Sequence, residues 1–192
     1  MKKMVQKAEN AHQRFEKAAL SLFQEQGYHQ TTVTQIALRA GLTERTFYRY
    51  FTDKQEVLFW RANDLQSTIV NSLIKAPQDQ NPLMIVIEAF EAAGSFFDNH
   101  RKEVKARQAL VASYQDFQER ELMKSHTLTA ALQAELQNRG MQAFAARMTS
   151  EAGIIIWRAA LDCWSSDITE QSFSQHIRNS LKQFQQTIIG RK

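Results

Sequence analysis

With 192 residues, 43% of them hydrophobic and 23% charged, the chain is long enough for one or two domains with a real core and has the balance of a globular protein. Its single cysteine, Cys163, excludes an intrachain disulfide, and with no run of about 18 apolar residues and no apolar leader core, no membrane span and a cytoplasmic location are expected. The net charge of +4 lies at one end: residues 1–54 hold nine Lys/Arg against five Asp/Glu, so the remainder sums to about zero.

Two prolines and six glycines in the whole chain predict an all-α fold of about nine helices. A first helix fits residues 10–26, where Phe15, Ala18, Ala19, Leu22 and Phe23 recur at helical spacing and Gly27 supplies the stop. Thr32 and Gln35 form a capping box that opens a second helix to about Ala40. Gly41 makes a turn, Thr43 caps a third helix over 43–51, and Asp53 with Glu56 opens a fourth that runs to Lys75, ahead of Pro77. Asn81-Pro82 starts the next, and helices are expected over 82–98, 101–113, 115–138, 143–165 and 169–189. The domain junction is expected at the fourth helix, giving an N-terminal head of residues 1–55 and a body of 56–192.

Two short helices with a glycine turn between them, the second crowded with arginine, tyrosine and threonine, are the sequence form of a helix-turn-helix that inserts its second helix in the DNA major groove. At 100° per residue, Phe47 and Phe51 share one face and pack inward, with Glu44 and Tyr48 flanking that inward face, while Arg45, Thr46, Arg49 and Tyr50 fall on the opposite arc. Arginine can hold guanine N7 and O6 bidentately, and tyrosine and threonine hydroxyls reach phosphates. Glu44 can accept from cytosine N4, or is a first-turn residue favoured by the helix dipole. Backbone amides at the starts of the second and fourth helices, with Thr32, Thr34 and Lys54 beside them, are candidates for phosphate contact, and Thr43 at the start of the third is a further candidate DNA contact.

The head resembles that of the TetR/AcrR family of bacterial transcriptional regulators. The residues that carry the resemblance are Ala19-Leu20-Ser21-Leu22-Phe23, Gly27-Tyr28, Thr31-Thr32-Val33, Ile36-Ala37, Ala40-Gly41-Leu42-Thr43, Thr46-Phe47-Tyr48-Arg49-Tyr50-Phe51 and Lys54, in order and at the family's spacing. The resemblance fades after about residue 65. It implies that Thr46 and Tyr48 touch DNA backbone or base edges, that Tyr50 contacts a phosphate and that Lys54 clamps one. Glu44, Arg45 and Arg49 stand at positions where family members differ and choose their sequence. It also implies a homodimer formed through the last two helices and a ligand cavity among the middle ones.

For the cavity, Phe90, Phe97, Arg107, Tyr114, Phe117, Met123, Phe144 and Trp157 are the candidates to touch a small-molecule effector, and plain core is the competing reading of each aromatic. The helix at 143–165 is apolar on two faces: Phe144, Met148, Ala152, Ile155 and Ala159 on one, Ile154, Trp157, Leu161 and Trp164 on the other. One face is expected to meet the chain's own core and one a second copy, with the dimer interface placed at Ile154, Leu161, Trp164, Ile177, Leu181 and Phe184.

The five histidines are scattered, and no metal spacing, phosphate loop, dinucleotide fingerprint or nucleophile elbow occurs, so no catalysis, cofactor or metal is expected. The expected protein is a homodimeric transcriptional repressor that leaves a palindromic double-stranded operator when a small apolar or amphipathic ligand binds. The alternative is a DNA-binding protein of the same fold that is controlled by a partner protein or serves chromosome organisation.

Overall fold

The structure, a computed structural model, describes residues 2–189, with the side chains of residues 11–188. Among these residues it is all-α, as the composition predicts. Its elements are α1 (Lys2–Gln26), α2 (Val33–Arg39), α3 (Glu44–Tyr50), a 3₁₀ helix (Glu56–Leu58), α4 (Ala62–Lys75), α5 (Pro82–Ala92), α6 (Gly94–Asn99), α7 (Arg101–Ser113), α8 (Gln115–Asn138), α9 (Ala143–Ser166) and α10 (Phe173–Ile189). No described helix is long and apolar enough to cross a membrane. The chain forms two compact units: one contains the residues up to Ala62 together with Ala106–Gln118, the other Asn63–Lys105 with Glu119–Lys192.

The first unit is built on Phe15, which is fully buried and meets the rings of Phe47 at 5.2 Å and Phe51 at 5.8 Å. Burying aromatic area at this density is the main force that seats a helix as short as α3, which could not persist alone. Thr32 and Gln35 close the capping box at the start of α2, and the Thr43 hydroxyl accepts the Thr46 N–H at 3.1 Å to start α3. Gly41 turns the chain between them at φ +63°, a left-handed conformation that a side chain would strain.

The fourth helix does not start at Asp53. Asp53 Oδ1 accepts the Glu56 N–H at 2.8 Å, but Asp53 caps no α-helix: the short 3₁₀ element follows, with Gln55 at its N-cap, and α4 begins at Ala62. Val57, Leu58 and Phe59 are consecutive and all buried, which a surface α-helix with one apolar stripe cannot achieve.

In the second unit, α9 crosses α5 closely enough that a methyl group on Gly153 would sit 2.6 Å from Val86 Cγ1. The helix expected over 82–98 is divided at Ala93 into α5 and α6, and Gly94 lies against Ser174 at the start of α10. The last helix begins at Phe173 rather than 169, because the Asp167 carboxylate gathers the Thr169 N–H at 2.8 Å and the Gln171 N–H at 2.9 Å into a turn. Asp98 then joins three elements through one oxygen. It accepts from Trp164 Nε1 at 3.2 Å, from the Phe173 N–H at 3.0 Å and from Arg101 at 3.3 Å.

The six side chains expected at a dimer interface are spent inside this unit. Trp164 and Ile177 are fully buried, Ile154, Leu161 and Leu181 nearly so, and Phe184 packs against the same core. The exposed apolar stripe of α9 is the opposite one, with Phe144, Met148 and Ile155 at 77%, 56% and 56% exposure. A two-faced apolar helix shows in sequence that both faces are covered, but which face the core takes is settled only by packing.

Candidate nucleic-acid interface

α3 turns Phe47 into the head's core and presents Glu44, Arg45, Tyr48 and Arg49 outward, with Thr46 and Tyr50 half-buried at its margins. Tyr48, expected to flank the inward face, is 58% exposed with its ring edge-on to Phe47 at 5.5 Å, whereas Thr46 and Tyr50, expected outward, are half-buried. The Thr43 and Thr46 hydroxyls lie 2.9 Å apart, forming a hydroxyl pair at the entry of α3. The Arg49 guanidinium donates to the Tyr50 hydroxyl at 3.0 Å and lies 4.8 Å from the centre of that ring. Tyr50 in turn packs on His12, with ring centres 4.5 Å apart, and His12 stacks on Trp60 at 4.7 Å. An aromatic column of head residues therefore backs the arginine, which limits the directions that guanidinium can take.

The rest of the head holds α2 and α3 at a fixed spacing. Arg14 donates to the Gly41 carbonyl at 3.0 Å across the turn. Arg39 on α2 makes a bidentate pair with Glu25 on α1, both bonds at 2.8 Å, and Ser21 donates to the same carboxylate at 2.6 Å. The Arg39 bond and the Ser21 bond draw the Glu25 pKa down to about 2. Thr34 is exposed on α2, and Thr32 is exposed while its hydroxyl caps that helix.

Lys54 stands apart from the other expected DNA contacts. It is half-buried, and its ammonium donates to the carbonyls of Tyr28 at 2.7 Å and Thr31 at 2.8 Å. Burial pushes its pKa down, and the Asp116 carboxylate opposes that shift. Tyr28 and Thr31, which the sequence reading gave no role beyond the motif, are both buried at this turn.

The eight residues expected around a ligand are divided between the two units. Arg107, Tyr114 and Phe117 belong to the first unit. There Arg107 Nε donates to the Leu58 carbonyl at 2.8 Å, and Phe117 is fully buried against Tyr28 and Phe59 with ring centres at 4.5 and 6.3 Å. Phe90, Phe97 and Trp157 do meet in the second unit, Trp157 lying 4.8 Å from Phe90 and 5.2 Å from Phe97, with Phe97 stacked on Phe173 at 4.1 Å. Met123 and Phe144 are exposed at 63% and 77%. Aromatic spacing on a helix shows that a face is covered, without showing by what.

These features define a helix-turn-helix head with an arginine- and tyrosine-bearing reading helix, carried by a larger helical body. Residues 17–59 match the family described as bacterial regulatory proteins, tetR family. The match lies within this head, which is thus similar to that of the tetR family of bacterial regulatory proteins. The HTH-type transcriptional regulator TcmR of Streptomyces glaucescens is 39% identical over 74 residues, which is 38% of this chain and 33% of that protein. The chain thus aligns with about a third of that relative's length.

The fold of the whole chain is similar to solved structures at low identity. A transcriptional regulator of this family from Syntrophomonas wolfei superposes with a TM-score of 0.66 at 17% identity, covering 95% of this chain and 96% of the other. Thermus thermophilus FadR, described as a repressor in complex with lauroyl-CoA, gives 0.58 at 17% identity over 94% and 96% of the two chains. The matched family and relatives are regulators rather than enzymes.

Proposed function

We propose that the chain is a homodimeric, DNA-binding transcriptional regulator, a repressor that a small apolar or amphipathic ligand releases from a palindromic operator. The observation that carries this reading is the divided surface of α3, with Phe47 buried beneath it and Arg45, Tyr48 and Arg49 turned to solvent. In a soluble head with a basic balance, that face is suited to base edges and phosphates.

In this reading residues 1–55 are the DNA-binding domain, and residues 56–192 supply dimerisation and ligand response. Glu44, Arg45 and Arg49 choose the bases, while Thr32, Thr34, Thr43, Thr46, Tyr48 and Tyr50 set register on the backbone. The second copy covers the exposed stripe of Phe144, Met148 and Ile155 on α9, with Ile188 of α10, exposed at 65%, on the same unit. Two heads held by one dimer call for half-sites about one helical turn apart, ~34 Å, or a multiple of it. For the ligand, the Thermus protein's lauroyl-CoA is a reasonable first probe, since an acyl chain needs only apolar surface to bury. Release requires that the ligand bind the DNA-free arrangement more tightly.

The test is selection of duplexes from a random pool by the purified chain, followed by titration of long-chain acyl-CoA into the complex. Enrichment of a palindrome that acyl-CoA dissociates is the expected outcome. Enrichment of no sequence ends the DNA-reading proposal, and a palindrome indifferent to acyl-CoA and other amphipathic ligands ends the ligand-release part alone.

A further inference from the structure

Both backbone polar groups of Tyr28, in the turn between α1 and α2, are held by side chains from distant points of the chain. Its N–H donates to the Tyr114 hydroxyl at 3.3 Å, and its carbonyl accepts from the Lys54 ammonium at 2.7 Å. The same ammonium donates to the Thr31 carbonyl at 2.8 Å, lies 3.5 Å from the His29 carbonyl and sits 4.3 Å from the centre of the Tyr28 ring. Three carbonyls and a ring face occupy a group that has three N–H donors. Reaching for a phosphate would take Lys54 away from the carbonyls of two buried residues, Tyr28 and Thr31.

The other side of the turn is equally engaged. Tyr114 lies between α7 and α8, in the stretch that packs as part of the first unit, and its ring is 5.8 Å from that of Tyr28. Phe117, fully buried, closes on Tyr28 at 4.5 Å, and Gln55 beside Lys54 donates to the Asp116 carbonyl. Thr31 directly precedes Thr32, whose hydroxyl and N–H make the capping box of α2, and the Thr31 hydroxyl donates to the Gly27 carbonyl at 2.8 Å. Whatever fixes residues 28–31 therefore fixes where α2 begins, and α2 sets the position of α3 through the turn at Gly41.

We propose that Lys54 and Tyr114 are positioning residues for the DNA reader: they hold the turn at Tyr28 by its carbonyl and its N–H, and so place α2 and α3 without touching DNA themselves. This rests on the DNA-reading function above. It departs from the expectation that Lys54 grips a phosphate, and it gives Tyr114 a task in the head instead of at a ligand.

The full-length chain with Lys54→Met, which keeps the length of the side chain, with Tyr114→Phe, which removes only the hydroxyl, and with both together provides the test. Two quantities are read well below each variant's melting temperature: hydrogen exchange of the amides of residues 28–36, and affinity for the duplex that the unaltered chain selects, over a salt series. Exchange should quicken in that segment for both variants and stay unchanged in α9. Affinity should fall about tenfold for Lys54→Met and a few-fold for Tyr114→Phe at every salt concentration, with the slope of log affinity against log salt preserved. The double variant should lose less than the product of the single losses, because one turn is held twice.

A Lys54→Met slope shallower by about 0.9 with normal exchange would make Lys54 a phosphate contact and overturn the proposal. So would a lowered melting temperature with affinity unchanged, which would leave both residues merely structural. If the unaltered chain selects no duplex, the DNA-reading function fails and the claim of placing a DNA reader falls with it. The exchange data then still decide separately whether the two side chains brace the turn.

Discussion

Arg49 is the residue whose chemistry is most specific. Its guanidinium is held against Tyr50, which leans on His12 and Trp60, so the side chain is partly organised before any partner arrives. Arg49→Ala should relax preference at one or two base pairs by about 1–3 kcal/mol, measured as the affinity ratio between the selected duplex and single-base variants. A uniform loss on all sequences would instead show that Arg49 only neutralises charge. Gly41 is demanding in another way, since its φ of +63° and the Arg14 guanidinium 2.8 Å from where a methyl would sit both oppose a side chain. Gly41→Ala should cost about 1–2 kcal/mol of stability in a denaturant titration. An unchanged midpoint would mean that the turn relaxes to accept the methyl group.

At the scale of elements, α2 is fastened to α1 by an exposed ion pair that titrates. The Glu25 carboxyl, whose pKa falls from 4.5 to about 2 through the Arg39 and Ser21 bonds, is more acidic folded than unfolded. Its contribution to stability is therefore complete above the unfolded value of 4.5 and is lost as the pH falls toward 2. Glu25→Gln should remove that part of the acid sensitivity, so that the two proteins differ at pH 6 and converge in melting temperature near pH 2. Curves that run parallel across the whole range would show that the pair does not contribute. The capping box at Thr32, the caps at Thr43 and Asn81 and the glycine turn are local in sequence, and the structure has each of them. The start of α4, the break at Ala93 and the late start of α10 are not local. They follow from three consecutive buried residues at 57–59, from Ser174 against Gly94 and from Asp167 gathering the preceding loop.

For the molecule as a whole, the exposed stripe on α9 is the feature that asks for a second copy. Phe144, Met148 and Ile155 are spaced along one face of a helix whose other face is core. Ile155→Glu should turn the proposed dimer into a monomer in sedimentation equilibrium and leave the helical content unchanged, because the side chain is 56% exposed in the single chain. Trp164→Ala, aimed at a residue buried within the chain, should instead lower stability by about 3–5 kcal/mol whether or not the copies associate. If Ile155→Glu remains dimeric, the copies meet elsewhere.

The amino-acid sequence by itself determined the helical class, the two short helices with their caps, the inward face of Phe47 and Phe51 and the outward face of Arg45 and Arg49. Each of these depends on residues within a few positions of one another, where helical periodicity and capping chemistry act directly. Only the tertiary structure decided which apolar face of α9 is core. It alone brought Tyr114 and Phe117 beside Tyr28, some 86 positions away for Tyr114, and gave the Lys54 ammonium three carbonyls to hold. A side chain's periodicity records that it will be covered, and its type records what bonds it can make. Which partner does either depends on how distant segments meet, a choice made by the packing of the whole chain.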